Sequence, residues 1–314
     1  MPDFFADRLL DAIDRCGSPV CVGIDPMLES LPAAVRDRAA GGDSTSAEAG
    51  VDAIYDFCLS ILKTVAGLVP IVKFQSAYFE KYHWEGVEAY FSLIQQAKEL
   101  GLLVIGDVKR GDIASTAAAY ASAHLDDSGN PNVDDAVVLP DAVTVNPMLG
   151  MDTLEPFVKV ARKLNKGLFV LVRTSNPGSA QLQDAALADG RTWSEMLADQ
   201  VNILASDAEL VGRRGYSGIG AVVGATQSQT MVSLRKRLPK SIFLLPGYGA
   251  QGATADQTRA AFQNGYGAIV SASRSILYAF SEPRYAEKFG NNWQKCVEQA
   301  VLDMKGDLKR VLGG

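Results

Sequence analysis

One short stretch of the chain brings together two aspartates and a lysine at a spacing that could do chemistry. It follows the apolar run 102–105 and reads Ile105-Gly106-Asp107-Val108-Lys109-Arg110-Gly111-Asp112-Ile113. A short apolar run bounded by a glycine predicts a buried strand. Side chains alternate along a strand, so we expect Asp107 and Lys109, at its end, to point the same way.

Charges at the end of a buried strand are costly unless they are paired or used. Asp107 and Lys109 alone would fit an ion pair that caps the strand. Asp112 lies past the turn allowed by Gly111, and Thr116 follows one helical turn later. These two additional residues favour a functional site over a structural ion pair.

The elements that must position these residues alternate regularly along the chain. Eight short runs rich in β-branched residues are each followed by a helical pattern. Strict alternation implies a parallel sheet, and eight units predict one (β/α)8 barrel domain over residues 1–314. A doubly wound open sheet is the alternative. Polar residues stand at or just after the predicted strand ends, namely Asp25, Lys73, Asp107, Lys109, Asn146, Ser175, Gln251 and Arg274. Only a barrel brings all these ends into one ring, where barrel active sites lie.

Several helix boundaries can also be predicted. Capping boxes at Thr45-x-x-Glu48, Thr192-x-x-Glu195 and Thr254-x-x-Gln257 indicate helix starts. Asp152 is predicted to cap the helix that follows it. The polar, alanine-rich segment 179–191 is predicted to be a mobile loop.

A glycine-rich loop follows the seventh predicted strand, with the sequence Gly247-Tyr248-Gly249-Ala250-Gln251-Gly252. A dinucleotide site would need an acidic residue about 20 positions later, and the region near Ser271 has none. Backbone N–H groups of such a loop can instead approach a phosphate. With Arg274 at the end of the eighth strand, the loop predicts the phosphate site of a barrel; a tight turn beside a surface arginine is the alternative.

A second group of charges comprises Asp25, Lys73, Asp107, Lys109 and Asp112. In a concave pocket, alternating negative and positive groups keep the lysines charged and fix their positions. A solvated rim of ion pairs is the alternative interpretation.

Composition and charge argue against several classes of protein. The 314 residues have a net charge of −6, with 47% apolar and 21% charged residues, as in globular proteins. Nucleic-acid binders concentrate positive charge, so we expect no such partner and interpret Arg235-Lys236-Arg237 as a solvated helix face. No apolar run approaches the ~20 residues of a membrane span.

The four cysteines form no C-x-x-C pair and no metal-like cluster with His83 or His124. The chain start lacks the pattern of a signal peptide. We therefore expect a soluble cytoplasmic protein with reduced thiols.

Taken together, the motifs resemble those of the orotidine 5′-phosphate decarboxylase family, in its longer bacterial branch. Asp25 and Lys73 precede motifs that read Asp107-x-Lys109-x-x-Asp112-Ile113-x-x-Thr116, Ser175-x-Pro177-Gly178, Pro246-Gly247-x-Gly249-x-Gln251-Gly252 and Arg274-Ser275-Ile276. The resemblance spans about residues 20–280 and is weakest in 126–140, in 179–195 and after 280.

This resemblance implies decarboxylation of orotidine 5′-monophosphate to uridine 5′-monophosphate, the last step of de novo UMP synthesis, without metal or organic cofactor. It assigns Lys109 to stabilising and then protonating a carbanion at pyrimidine C6, and Asp107 to facing the departing carboxylate. The resemblance assigns binding of the ribose hydroxyls and fixing of Lys109 to four residues, Asp25, Lys73, Asp112 and Thr116. It assigns contact with the pyrimidine amide edge to Ser175. Phosphate binding is assigned to Gln251 and Arg274, and Pro246 belongs to the same substrate-binding set. The family also implies a homodimer in which Asp112 and Thr116 serve the neighbouring subunit's site.

Two other functions remain open at this point. A related barrel could act as a metal-dependent decarboxylase or aldolase on a sugar-phosphate acid, with the same Asp-x-Lys-x-x-Asp pattern. Alternatively, the barrel could bind a phosphate ligand without catalysis.

Overall fold

Eight parallel strands form a closed barrel in the computed structural model, which describes residues 4–40, 47–126, 137–226, 228–249 and 252–313. In chain order they are β1 (Val20–Ile24), β2 (Ile71–Gln75), β3 (Leu103–Arg110), β4 (Ala142–Val145), β5 (Gly167–Arg173), β6 (Ser217–Val223), β7 (Ser241–Pro246) and β8 (Ala268–Ala272). Strand β1 pairs with β8 as well as with β2, and Val20 stands opposite Val270. The predicted (β/α)8 barrel is confirmed, and the alternative of an open sheet is wrong.

Apart from α1, the helices follow strands and cover the outside of the barrel. They are α1 (Phe5–Cys16), α2 (Ala33–Ala40), α3 (Ala47–Val65), α4 (Ala77–Glu80), α5 (His83–Glu99), α6 (Ala114–Leu125), α7 (Glu155–Leu164), α8 (Ser179–Gln183), α9 (Trp193–Ala205), α10 (Ser228–Arg237), α11 (Ala255–Thr258), α12 (Arg274–Leu277), α13 (Pro283–Phe289) and α14 (Trp293–Leu312). Short 3-10 segments occupy Leu28–Ser30, Met151–Leu154, Arg259–Ala261 and Ala279–Ser281. In the described part of the chain, no helix combines the length and the apolar character needed to cross a membrane.

Apolar side chains pack in two layers, one inside the barrel and one between the strands and the helices. Every residue of β1, β4, β6 and β8 is buried. This pattern is expected of a parallel sheet that is covered on both faces. Polar residues on such strands are therefore exceptions that need a partner or a function.

Helix α1 closes the N-terminal end of the barrel. The ring of Phe5 packs edge-on against Phe169 inside the barrel, with ring centroids 6.1 Å apart. A side chain at Gly167 would overlap the Phe5 ring, so the close approach requires glycine. Asp7, also on this helix, is 1% exposed and accepts a hydrogen bond from the backbone N–H of Arg213. One end of the barrel is thus filled by packing, and the opposite end is left for a site.

Two of the predicted helix starts are confirmed. Thr192 Oγ1 accepts the N–H of Glu195 at 3.2 Å, and the Thr192 N–H donates to the Glu195 carboxylate at 3.0 Å. The Thr254 N–H likewise donates to the side-chain oxygen of Gln257 at 2.8 Å. The third capping residue, Thr45, lies outside the described residues.

Three other expectations were wrong. Asp152 belongs to the 3-10 segment and caps nothing, because α7 begins at Glu155 with a proline in its first turn, which needs no N–H partner. The segment 179–191 is not a loop throughout, since it contains α8 and a bridge between Ala186 and Thr192, while its mobility stays a prediction. Arg235 is 4% exposed and donates to backbone carbonyls, so it is not part of a solvated face.

Candidate active site

A cavity of about 400 Å³ opens at the C-terminal ends of the strands. Its lining comes from almost every strand end and comprises Asp25, Lys73, Gln75, Asp107, Lys109, Thr144, Leu171, Thr174, Ser175, Asn176, Val222, Leu244, Pro246, Gly247, Tyr248, Ser271, Ser273 and Arg274. Seven of the ten site residues expected from the sequence therefore lie around one cavity: Asp25, Lys73, Asp107, Lys109, Ser175, Pro246 and Arg274. The structure does not describe Gln251.

The end of β3 is irregular where it enters the cavity. Gly106 pairs with Val143 and Arg110 pairs with Val145, so three residues of β3 face Thr144 alone. Such a bulge re-aims the side chains that it carries. Lys109 lies within it and has a φ of +45°, which is unusual for a residue with a side chain.

The ends of β3 and β4 also approach each other closely just beyond this bulge. A Cβ on Gly111 would lie 2.5 Å from the carbonyl oxygen of Asn146. Only glycine allows the chain to leave β3 along this path. Glycine is therefore required at position 111 for close packing against β4 as well as for the turn after β3.

The Asp107 carboxylate is the centre of the charged group. Its Oδ2 accepts hydrogen bonds from Lys73 Nζ at 2.8 Å and Gln75 Nε2 at 3.1 Å. Its Oδ1 accepts hydrogen bonds from Lys109 Nζ at 2.6 Å and Thr144 Oγ1 at 2.8 Å. Donors from three strands therefore fix both oxygens, and the carboxylate cannot rotate without losing hydrogen bonds.

Charge balance keeps this group ionised despite its burial. Burial disfavours the charged Asp107 carboxylate, but the ammonium groups of Lys73 and Lys109 outweigh this effect and hold its pKa well below the usual range. Burial also opposes the charged Lys73, yet the carboxylates of Asp107 and Asp25 raise the pKa of this ammonium above its usual range. Both side chains are 7% exposed. At neutral pH the cavity floor thus carries fixed charges of both signs.

Two groups at the cavity have capacity left for a ligand. The Lys109 side chain is 44% exposed although it pairs with Asp107. Asp25 Oδ1 is buried, lies 3.9 Å from Lys73 Nζ and has no hydrogen-bond partner among the described residues. Buried polar atoms of this kind normally have a partner, so a bound ligand hydroxyl would satisfy Asp25.

The opposite wall of the cavity carries the residues that are predicted to bind a phosphate. Pro246 ends β7 and Gly247 follows it, and Ser273 and Arg274 follow β8. The Arg274 side chain lines the cavity at the start of α12, and within the described ranges no carboxylate is paired with it. A free guanidinium beside a glycine-rich loop can bind a phosphate dianion.

Ser175 lies on the cavity wall, in the loop after β5, and hydrogen bonds within this loop hold it in place. Arg173, at the end of β5, is 2% exposed and donates to both carboxylate oxygens of Asp184 at 2.8 Å. The Gln183 side chain accepts the Thr174 N–H at 2.7 Å. The loop that presents Ser175 is therefore anchored at its far end.

Asp112 and Thr116 are not brought into this cavity. The Asp112 carboxylate accepts the N–H of Ile113 at 2.8 Å, and Thr116 is exposed on α6. Neither residue belongs to the described lining of the cavity.

Sequence reasoning missed both of the uncharged side chains that contact Asp107, and it misplaced one residue. Gln75 and Thr144 contact Asp107, whereas Asn146 turns its side chain to the N–H of Met148. Strand β4 ends at Val145, so alternation no longer applies to Asn146. Thr144 could have been noticed as the polar residue within the apolar run 142–145.

The donor set at the cavity suits an anionic ligand. Across the described ranges, no three His, Cys, Asp or Glu side chains form a group that could hold a metal ion. A buried carboxylate flanked by two ammonium groups, with a guanidinium across the cavity, can place a positive charge next to developing negative charge.

Comparisons with known proteins agree over nearly the whole chain. A family model described as "Orotidine 5'-phosphate decarboxylase / HUMPS family" matches residues 18–289. The orotidine 5′-phosphate decarboxylase of Rhodopirellula baltica is 45% identical over 307 residues, which cover 97% of this chain and 99% of that protein. The enzyme of the same name from Clostridium novyi is 36% identical over 304 residues, which cover 97% of this chain and 98% of that protein. The solved structure of Leishmania donovani OMP decarboxylase superposes with a TM-score of 0.72 at 25% identity, covering 99% of this chain and all of that one.

Proposed function

Because this chain belongs to the orotidine 5′-phosphate decarboxylase / HUMPS family, we propose that it converts orotidine 5′-monophosphate to uridine 5′-monophosphate and carbon dioxide, the last step of UMP synthesis. The observation that carries this proposal is the fixed array of Lys73, Asp107 and Lys109 on the cavity floor. Among these three groups, Lys109 combines a charge with an exposed side chain.

Lys109 supplies the stabilising charge and the proton. When the bond between pyrimidine C6 and the carboxylate breaks, its electron pair stays on C6 and carbon dioxide leaves. No organic cofactor is needed in this scheme, so a fixed ammonium beside C6 must stabilise the carbanion. The Lys109 ammonium then transfers a proton to C6 and regains one from solvent.

Asp107 orients the two lysines and faces the substrate carboxylate. Four hydrogen bonds hold its charge in place before substrate binds. The carboxylate of the bound substrate would face the negative charge of Asp107. Loss of carbon dioxide relieves this repulsion, and the same charge attracts Lys109 into position.

The remaining cavity residues bind the parts of the substrate that do not react. Asp25, whose buried Oδ1 has no hydrogen-bond partner in the described part of the chain, accepts a ribose hydroxyl next to Lys73. Ser175 contacts the amide edge of the pyrimidine. Arg274, with Gln251 and with Pro246 and Gly247 at the loop start, holds the phosphate. Energy from the distant phosphate contact can help to close the site around the reacting carbon.

The working unit in this proposal is a homodimer in which Asp112 and Thr116 complete the neighbouring site. Both residues lie outside the cavity of their own chain. Ile113, which follows Asp112 in the chain, is 59% exposed, and Met148 and Leu149 in the loop after β4 are 54% and 57% exposed. Large apolar side chains exposed after the ends of the neighbouring strands β3 and β4 favour a protein interface. The free, mostly buried cysteines are compatible with a cytoplasmic location.

An absorbance assay with purified protein and orotidine 5′-monophosphate tests the proposal. We expect conversion to uridine 5′-monophosphate that survives prolonged treatment with a chelator. Activity only with a sugar-phosphate acid and a divalent metal would favour the related metal-dependent class. Binding of nucleotide without any turnover would leave the non-catalytic function.

A further inference from the structure

The hydroxyl of Thr144 is in a position to control the geometry of Lys109. Thr144 lies on β4 and is 1% exposed, and it is the single β4 residue opposite the bulge of β3. Its Oγ1 accepts the backbone N–H of Lys109 at 2.9 Å and donates to Asp107 Oδ1 at 2.8 Å. The same Oδ1 accepts the Lys109 ammonium at 2.6 Å. One hydroxyl and one carboxylate therefore hold both the backbone and the side chain of this lysine.

Lys109 needs such support because its backbone is in an unfavourable conformation. A positive φ in a residue with a side chain persists only when the surroundings enforce it. The bulge leaves the Lys109 N–H without a regular ladder partner, and the Thr144 hydroxyl takes that place. A hydroxyl can accept and donate at once, which a valine side chain of similar shape cannot do.

We infer that Thr144 is a positioning residue for the reaction, acting through Lys109 and Asp107 rather than on the substrate. The inference rests on the proposed decarboxylation, since it assigns Thr144 to the placement of the ammonium beside C6. Misplacement of a catalytic group by about 1 Å can cost ~10²-fold in rate. Loss of the hydroxyl should therefore lower kcat and leave nucleotide binding nearly unchanged.

Thr144→Val tests this inference, with Thr144→Ser and Thr258→Val as matched comparisons. Thr258 is also fully buried, and its hydroxyl donates to the carbonyl of Ala255 at 2.7 Å, away from the cavity. We expect Thr144→Val to lose about 10- to 100-fold in kcat with little change in KM or in the affinity for uridine 5′-monophosphate. Thr144→Ser should recover most of the lost kcat, and Thr258→Val should behave as wild type. If Thr144→Val does not fold, Thr144→Ala and Thr258→Ala replace the pair.

A second measurement does not depend on activity. Hydrogen exchange of the segment 103–113, followed by mass spectrometry or by the Lys109 amide resonance, should accelerate in Thr144→Val and not in Thr258→Val. Wild-type kcat in Thr144→Val, a loss confined to KM, or unchanged exchange of this segment would overturn the inference. Inactive wild-type protein would instead refute the proposed function, and the exchange data would still decide whether Thr144 holds Lys109.

Discussion

The two lysines on the cavity floor share one carboxylate but differ in what they can reach. Lys73 is 7% exposed and lies between Asp107 and Asp25, so its charge serves to hold the other groups. Lys109 is 44% exposed, although its ammonium pairs with the same carboxylate. A group that must meet a substrate has to retain such access. In the proposed mechanism, this difference assigns the chemistry to Lys109 and the support to Lys73.

Replacement of Lys109 should therefore remove turnover but not binding. We expect Lys109→Ala to lose at least ~10³-fold in kcat, because the charge beside the reacting carbon is absent. The variant should stay folded and bind uridine 5′-monophosphate in a calorimeter. Lys63→Ala, on the exposed face of α3, is the control and should match wild type. Substantial turnover by pure Lys109→Ala would take the central role away from this residue.

The ionisation of Asp107 should make stability depend on pH. Its pKa is lowered in the folded state, so its contribution is complete above about pH 4, the usual value for aspartate, and is lost as the pH falls through the lowered value. Removing one partner of a buried ion pair costs about 3–5 kcal/mol. We expect Asp107→Asn to be less stable by roughly this amount at pH 7, and the difference to narrow in acid.

Urea unfolding of both proteins over a series of pH values measures this difference. Asp256→Asn, which removes an exposed carboxylate on α11, should follow wild type throughout. The difference in the free energy of unfolding between Asp107→Asn and wild type could also stay constant into strong acid. That result would show that ionisation of Asp107 does not cause the difference.

At the scale of elements, strand ends and loop anchors decide where the site residues point. The strand pattern alone was sufficient to predict the barrel and six of the cavity residues, because parallel strands in a ring must present their ends together; the seventh, Pro246, came from the family resemblance. The strand pattern could not predict the β3 bulge, which made Thr144 a contact of Asp107 and left Asn146 outside. It also could not predict that Arg235 is buried. The four backbone carbonyls that accept hydrogen bonds from its guanidinium belong to four separate residues, and they come together only in the folded chain.

The loop after β5 offers a test of how anchoring affects the site. Asp184 binds the buried Arg173 guanidinium through both oxygens. We expect Asp184→Ala to make the segment 174–192 more sensitive to proteolysis and to lower kcat/KM about tenfold, because Ser175 is held less firmly. Asp189→Ala in the same loop removes an exposed partner of Arg191 and should change neither quantity. Equal effects of the two variants would mean that the Arg173 anchor has no special role.

At the scale of the whole molecule, the proposed sharing of Asp112 between subunits predicts complementation. Lys109→Ala and Asp112→Ala should each be inactive alone. After the two are dissociated and reassociated together, about half of the dimers are mixed, and each mixed dimer has one site with both residues intact. We expect roughly a quarter of wild-type activity to return in the absorbance assay. Mixed dimers that form, as shown by mass spectrometry, yet remain inactive would mean that Asp112 serves its own chain.

Closure of the barrel by its first and last strands has a consequence for synthesis on the ribosome. Val20 pairs with Val270, so β1 waits for a partner that emerges about 250 residues later. At ~5–20 residues per second this takes roughly 12 to 50 s, during which one edge of β1 has no final partner. The last strand to arrive also brings Arg274. The nascent chain therefore closes its barrel and completes its proposed phosphate site at nearly the same moment, and until then the open edge of β1 can pair with other chains.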